Sequence, residues 1–186
     1  MPVGSLRGRL LLATPPLTDP NFDRSVVLLL EHSDEGAVGV VLNRPSSTSL
    51  AEALPDWHLV AAPPAVVYIG GPVAPEALIG LAQGADTASD AESFTPLLGT
   101  TGTVDLGRDP RLSPGLEFVR VFAGYAGWAP GQLEGELGAR AWIIADLASE
   151  DPFTRDPGEL WRVVLIRQGG ELAVLGRLYP DDVSHN

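Results

Sequence analysis

The sequence predicts an α+β fold in one domain, and three observations carry that expectation. Runs rich in Val and Leu come first and read as hairpins, and helical patterns are grouped later, so strands and helices do not alternate as βαβ units. Gly (21) and Pro (17) together approach a fifth of the chain, where about 12% is usual, so tight turns and irregular connections are expected rather than long helices. A length of 186 residues with 45% hydrophobic content suits one sizeable core, and no internal repeat or linker divides residues 1–186.

Arg7–Ala13 reads as the first strand. Thr14, Pro15 and Pro16 end it, because proline removes a backbone donor and restrains the residue before it. A polar loop over 17–24 leads into Ser25–Glu31, a buried strand. His32–Gly36 reads as a five-residue polar loop, and Ala37–Leu42 as the returning strand of a hairpin, stopped by Asn43, Arg44 and Pro45. Ser49 and Glu52 have capping-box spacing for a short helix closed by Pro55. Val66–Ile69 is a strand broken by Gly70, Gly71 and Pro72, and Ala77–Ala82 reads as another.

Residues 83–116 interleave Gly, Thr, Ser, Asp and Pro, which predicts long surface loops with one short strand near Val104. Glu117–Ala123 alternates as a strand, and Gly124–Gly127 then turns the chain. Pro130 stands where it suits the first residue of a helix over Gly131–Leu137, ended by Gly138. Ala141–Ala145 is a further buried strand. Asp156 and Pro157 open a helix reaching about Gln168, which Gly169 and Gly170 terminate. Leu160, Trp161, Val164 and Leu165 share one face of that helix, with Arg162 and Arg167 away from it. The tail, Tyr179–Asn186, is polar and acidic.

Composition narrows the chemistry. The longest apolar runs, Val26–Leu30 and Val38–Leu42 around Gly39, fall far short of the ~20 residues that span a bilayer. Arg7 and Arg9 precede only Leu10–Ala13, too short for a signal-peptide core, so a cytoplasmic protein is expected. The absence of cysteine excludes disulfides, thiolate catalysis and Cys-ligated zinc or iron–sulfur sites. The absence of lysine excludes Schiff-base chemistry and a P-loop. Twelve arginines against 24 acidic residues give a net charge of −12, a field that opposes nucleic-acid binding.

No G-x-G dinucleotide loop and no G-x-S-x-G elbow is present, so no catalytic residue set and no cofactor is predicted. Glu31, His32, Ser33, Asp34 and Glu35 hold imidazole and carboxylates that suit a metal, and His32 suits a general base with Ser25 as a distant partner. At a hairpin tip the same residues are expected for turn chemistry alone, and that reading leads; no metal site is expected. Asp19, Asn21, Phe22 and Arg24 crowd a loop between two apolar strands. They form either a binding loop or a set of turn-stabilising side chains. The hairpin would bring Asn43 and Arg44 to the same end, so Asn21, Arg24, Asn43 and Arg44 are expected to share one site. The stretch from Gly124 through Gly127, Trp128, Gln132 and Glu134 reads as a turn into a helix N-terminus, a place that attracts anions. Trp128 is there more as packing than as a ligand platform. Gly71 reads as a close approach of two backbones.

Six segments together resemble the AlgH/YqgE family. They are Leu11–Pro16, Asp19–Val27, Glu31-His32, Gly36–Pro45, Tyr68–Val73, and Gly124–Trp128 leading to Gly131–Glu134. Their order and spacing run from residue 8 to about 145, and residues 78–117 depart from the family pattern. The resemblance implies an α+β fold whose bifurcated, mostly antiparallel sheet wraps into a pseudo-barrel with short flanking helices, in a cytoplasmic bacterial protein. Some members are labelled transcriptional regulators, and no catalytic set carries over. The family's own pattern marks Asn21, Arg24, Asn43, Arg44, Gly71, Gly127, Trp128 and Gln132. The leading functional expectation is a non-enzymatic regulatory or interaction domain that binds a small anionic ligand or a protein partner. The alternatives are a hydrolase or metal-dependent enzyme built on His32 and nearby carboxylates, and a DNA-associated regulator.

Overall fold

The computed structural model describes residues 4–15, 22–84, 94–112 and 115–178. Among them, ten strands make one branched sheet: β1 Leu10–Ala13, β2 Val26–Ser33, β3 Gly36–Val41, β4 Pro45–Ser49, β5 Val66–Ile69, β6 Val73–Gly84, β7 Phe94–Leu98, β8 Thr101–Val104, β9 Leu116–Trp128 and β10 Trp142–Ala145. The strand order is β10-β1-β2-β3-β9-β6-β8-β7. All these neighbours pair antiparallel. The branch lies on β9. Its last residues pair with β3, while Phe122 and Ala123 pair in parallel with β5, which carries β4 outside it. Five short helices complete the set: α1 Leu50–Ala53, α2 Pro55–His58, α3 Gln132–Gly138, α4 Leu160–Gln168 and α5 Gly170–Leu178. Among the described residues, no helix is long and apolar enough to cross a membrane.

The α+β class is met. The sheet path ends on β10 and β7, which do not pair with each other, so the sheet is not closed. Several boundaries differ from the sequence reading for local reasons. The β2–β3 hairpin closes through Asp34 and Glu35 alone, with Ser33 opposite Gly36, instead of a five-residue loop. Polar residues at a hairpin tip are compatible with paired strands, which removes the compositional signal. Gly124–Gly127 does not end the strand: β9 continues through it, with Gly124 at φ 76°. Pro130 stands outside α3, whose N-cap is Gly131 in a left-handed conformation (φ 79°). Pro55 closes α1 but also opens α2, as its fixed φ suits a first helical residue. Gly169 and Gly170 end α4 and immediately start α5, a helix the sequence reading leaves out. The 83–116 stretch holds two strands, β7 and β8, where one is expected.

Alternation along β1–β3 divides the core into two layers. Leu10, Leu12, Val26, Leu28, Val40 and Leu42 face α4, where Trp161, Val164 and Leu165 are buried. Leu11, Ala13, Val27, Leu29 and Val41 face the other way, against Leu133 of α3 and the indoles of Trp128 and Trp142. A third cluster, including Trp57, Val67, Val104 and Val121, lies under α1 and α2. Ser49 caps α1 by accepting a hydrogen bond from the Ala51 amide.

Two charged side chains are wholly inside among the described residues, those of Arg120 and Asp151. Arg120 of β9 is 1% exposed. Its Nη1 donates to the carbonyls of Pro152 (3.0 Å) and Thr154 (2.9 Å). Its Nη2 donates to those of Ala62 (3.4 Å) and Pro63 (2.7 Å). The guanidinium carbon lies 4.5 Å from the centre of the Tyr68 ring, a cation–π contact. Burial lowers the Arg120 pKa and raises that of the Tyr68 phenol. Tyr68 Oη is itself buried without a hydrogen-bond partner. Replacing Arg120 by Met strands four carbonyls, and urea unfolding should show a loss of about 3 kcal/mol or more. Tyr68→Phe removes an unpaired hydroxyl, so its urea midpoint should equal or exceed that of the parent; a marked fall would mean the hydroxyl is satisfied in solution.

Candidate functional site

The residues singled out from the sequence fall into two groups at different places on the sheet. Asp19 and Asn21 lie outside the described residues. The first group sits where β2 begins and β3 ends. Residues 22–25 close a tight turn, with the Ser25 amide and hydroxyl both donating to the Phe22 carbonyl (3.0 and 2.7 Å). Asn43 then acts as a splice beyond the end of β3. Its Oδ1 accepts from the Val26 amide (3.0 Å) and its Nδ2 donates to the Arg24 carbonyl (2.9 Å). A side-chain amide thereby continues the β2 ladder past the last paired residue.

That clamp holds Arg24 at φ 51°, a left-handed conformation that costs a non-glycine residue roughly 1–2 kcal/mol. Its guanidinium carbon lies 5.6 Å from the centre of the Trp161 ring. Arg44 Nη2 donates to the Asp23 carbonyl (2.8 Å), and the Arg44 carbonyl accepts from the Ile69 amide (2.8 Å). The second contact brings the Gly70-Gly71-Pro72 corner alongside. Gly71 has φ 154°, and a Cβ there would collide with the Tyr125 backbone. Only glycine lets this corner reach β9 so closely. Val41, Arg44, Ile69, Gly71 and Pro72 line a small cavity of about 80 Å³. Arg24, Asn43 and Arg44 are therefore neighbours, as the hairpin reading expects, and Gly71 adjoins Arg44.

The second group surrounds α3. A bulge in β2 is decisive here: Leu29 pairs with Gly39 and Glu31 with Val38, leaving Leu30 as the extra residue. The extra residue reverses the alternation. Without it, His32 would point with Leu28 towards α4; with it, His32 points towards α3. Its side chain is 4% exposed. Nδ1 accepts from the Leu6 amide (2.9 Å), so the proton is on Nε2, which meets Glu134 Oε1 at 2.7 Å. The imidazole is thus neither in a solvated turn nor free to act as a base, because both nitrogens are engaged within the fold. It does reach a carboxylate, as the enzyme reading requires, but it does so as a buried prop under α3. Ser25, the suggested nucleophile, is at the opposite end of β2. Among the described residues, no three His, Asp or Glu side chains converge to hold a metal ion.

Trp128 is 6% exposed and packs edge-on against Trp142 (6.0 Å between ring centres) and near Phe22 (6.4 Å). Gln132 accepts from the Ala129 amide (3.0 Å) and donates to Glu136 (3.0 Å), so both ends of its amide are used locally. Gly127 pairs with Val38 inside β9. The sequence reading overlooks Glu136, whose Oε1 accepts from both the Trp128 (3.2 Å) and Trp142 (3.0 Å) indoles. The i, i+4 spacing of Gln132 and Glu136 on one helix face was the available signal. Arg24 lies against Trp161 in the α4 layer and Trp128 is buried in the α3 layer, so the structure does not bring these two to one surface.

The hydrogen bond from His32, with that from its own backbone, holds the Glu134 carboxyl below its ordinary range. A depressed carboxyl pKa contributes stability above the unfolded value of about 4.3, and the contribution is lost as pH falls through the folded value. Glu134→Gln should therefore melt at a lower temperature than the parent near pH 6. The gap should close as pH falls below about 4, as followed by thermal melts across that range. A gap independent of pH would show that the Glu134 charge is not the source of the stability.

With this geometry in place, comparison with known proteins is informative. A family model described as AlgH-like matches residues 10–173. A "UPF0301 protein" of Streptomyces coelicolor is 47% identical over 188 residues, covering 99% of this chain and 97% of that one. One from Nocardia farcinica is 46% identical over 183 residues, with 96% and 85% covered. Among solved structures, a crystal structure of a Corynebacterium diphtheriae protein superposes with a TM-score of 0.87 at 32% identity over 91% of each chain. The solution structure of the AlgH protein from Pseudomonas aeruginosa gives 0.70 at 31% identity over 98% of each.

Proposed function

This chain belongs to the AlgH-like family, and from that premise we propose that it is a regulatory or interaction domain that recognises a small anionic ligand through Arg24 and Arg44. The observation that carries the reading is the conformation of Arg24. A left-handed position favours Gly or Asn, yet an arginine stands there, locked by Asn43 and presented over Trp161. Strain of this kind, kept by a dedicated clamp, is typical of binding and switch positions. Arg44 adds a second guanidinium from the adjoining corner and lines the small cavity beside Gly71. A cavity of that size suits an inorganic anion or a carboxylate terminus rather than a whole cofactor. The net charge of −12 does not prevent this, because salt screens distant carboxylates beyond roughly 8 Å at physiological ionic strength. The same charge argues against a nucleic-acid partner.

A protein partner is the second reading, favoured by Ile69, Val73 and Leu78, apolar residues 39–50% exposed on β5 and β6 near the same corner. A partner bearing a carboxylate or phosphate would use both features.

Inorganic pyrophosphate, compared with sodium chloride at equal ionic strength, should raise the melting temperature of the parent protein, by mass action. Arg44→Ala and Arg24→Ala should each abolish most of the rise while remaining folded. An undiminished rise in both variants would refute the site.

A further inference from the structure

A cavity of about 330 Å³ lies away from these arginines, and Ala62, Pro63, Phe118, Phe153, Thr154 and Arg155 are among its lining residues. Its volume is in the lower range of small-molecule sites, which begin near ~300 Å³. We propose that it is a second binding site, for a small aromatic compound bearing an anionic group. Three independent features converge on that chemistry.

The first is an aromatic wall. Phe118, on β9, is 42% exposed, an uncommon state for a large ring in a strand. It lies 6.5 Å from the ring of buried Phe153, tilted by 33°, so its outer face is open for stacking. The second is positive charge behind the wall. The carbonyls of Ala62, Pro63 and Thr154, residues that line the cavity, accept hydrogen bonds from Arg120 on their inner side. No carboxylate is among the acceptors of that guanidinium, and burial lowers its pKa, as expected for a cation that lacks a counter-charge. The third is Arg155, which lines the cavity, is exposed, and has no hydrogen-bond or ion-pair partner among the described residues. Glu150 is the opposing charge, but its carboxylate already acts on Arg167. The balance at the cavity is therefore positive within a strongly acidic protein. Gln83 supplies an amide that can donate to or accept from a ring substituent.

The test uses the whole chain and two fluorescent probes, anilinonaphthalene sulfonate and its uncharged relative phenylnaphthylamine. The sulfonate should bind with one-to-one stoichiometry, and more weakly as salt is raised. Phe118→Ala should weaken it about tenfold, and Arg155→Ala several-fold, with unchanged melting temperatures. Arg177→Ala, an exposed charge change on α5, should bind like the parent. Unaltered binding in both Phe118→Ala and Arg155→Ala would overturn the site. Equal affinity for the neutral probe would overturn the anionic class. Neither outcome bears on the pyrophosphate experiment, because the two sites share no residue.

Discussion

The guanidinium of Arg120 is the constraint on which the arrangement of the second half of the chain depends. It gathers carbonyls from two loops, 62–63 and 152–154, onto β9. The Ala62 amide, donating to the Val119 carbonyl (2.8 Å), and the Phe118–Phe153 ring contact hold the same two loops to β9. A buried cation without a carboxylate is normally unfavourable, because several kcal/mol of hydration is given up. Here four carbonyl dipoles and the face of Tyr68 replace that hydration. The arrangement also fixes the walls of the cavity beside Phe118, so a structural solution and a candidate ligand environment come from one residue. Asp151, 1% exposed and paired with Arg167 at 2.7 Å, secures the start of the same loop against α4.

The family's motif residues divide by what their side chains touch. Asn43, Gly71, His32, Trp128, Gln132 and Glu134 are engaged within the fold. Asn43 extends a strand, Gly71 admits a backbone, and His32 with Glu134 attaches α3 to the hairpin. Glu136 gathers two indoles, satisfying both of their N–H groups, and accepts from Gln132 on the exposed side. Arg24 lies over the Trp161 ring, and Arg44 donates to the Asp23 carbonyl. Most of these polar residues thus place backbone, and Arg24 and Arg44 lie together where β2 begins and β3 ends.

Much of the architecture was legible in the chain. The Val/Leu runs of β2 and β3, the Val66–Ile69 strand, and the buried face of Leu160, Trp161, Val164 and Leu165 in α4 each follow from a periodicity that needs no partner to be seen. The functional surface was legible only in part. The adjacency of Arg24, Asn43 and Arg44 follows from hairpin geometry, since strands that pair must return their ends together. The position of Trp128 does not, because the glycines before it mimic a turn. In the structure they let β9 pass close to Gly71 while staying in the sheet.

The sequence by itself determined the class of fold, the exclusion of cysteine and lysine chemistry, and which residues carry polar weight, because composition and local periodicity are properties of the unfolded chain. Only the tertiary structure decided which way those residues point. A single extra residue at Leu30 moves His32 from one core layer to the other, and no local propensity records that choice. The cation at Arg120 is a stronger case. In sequence it is one strand residue among alternating neighbours, and its burial arises only when four carbonyls from two distant loops come within hydrogen-bond reach.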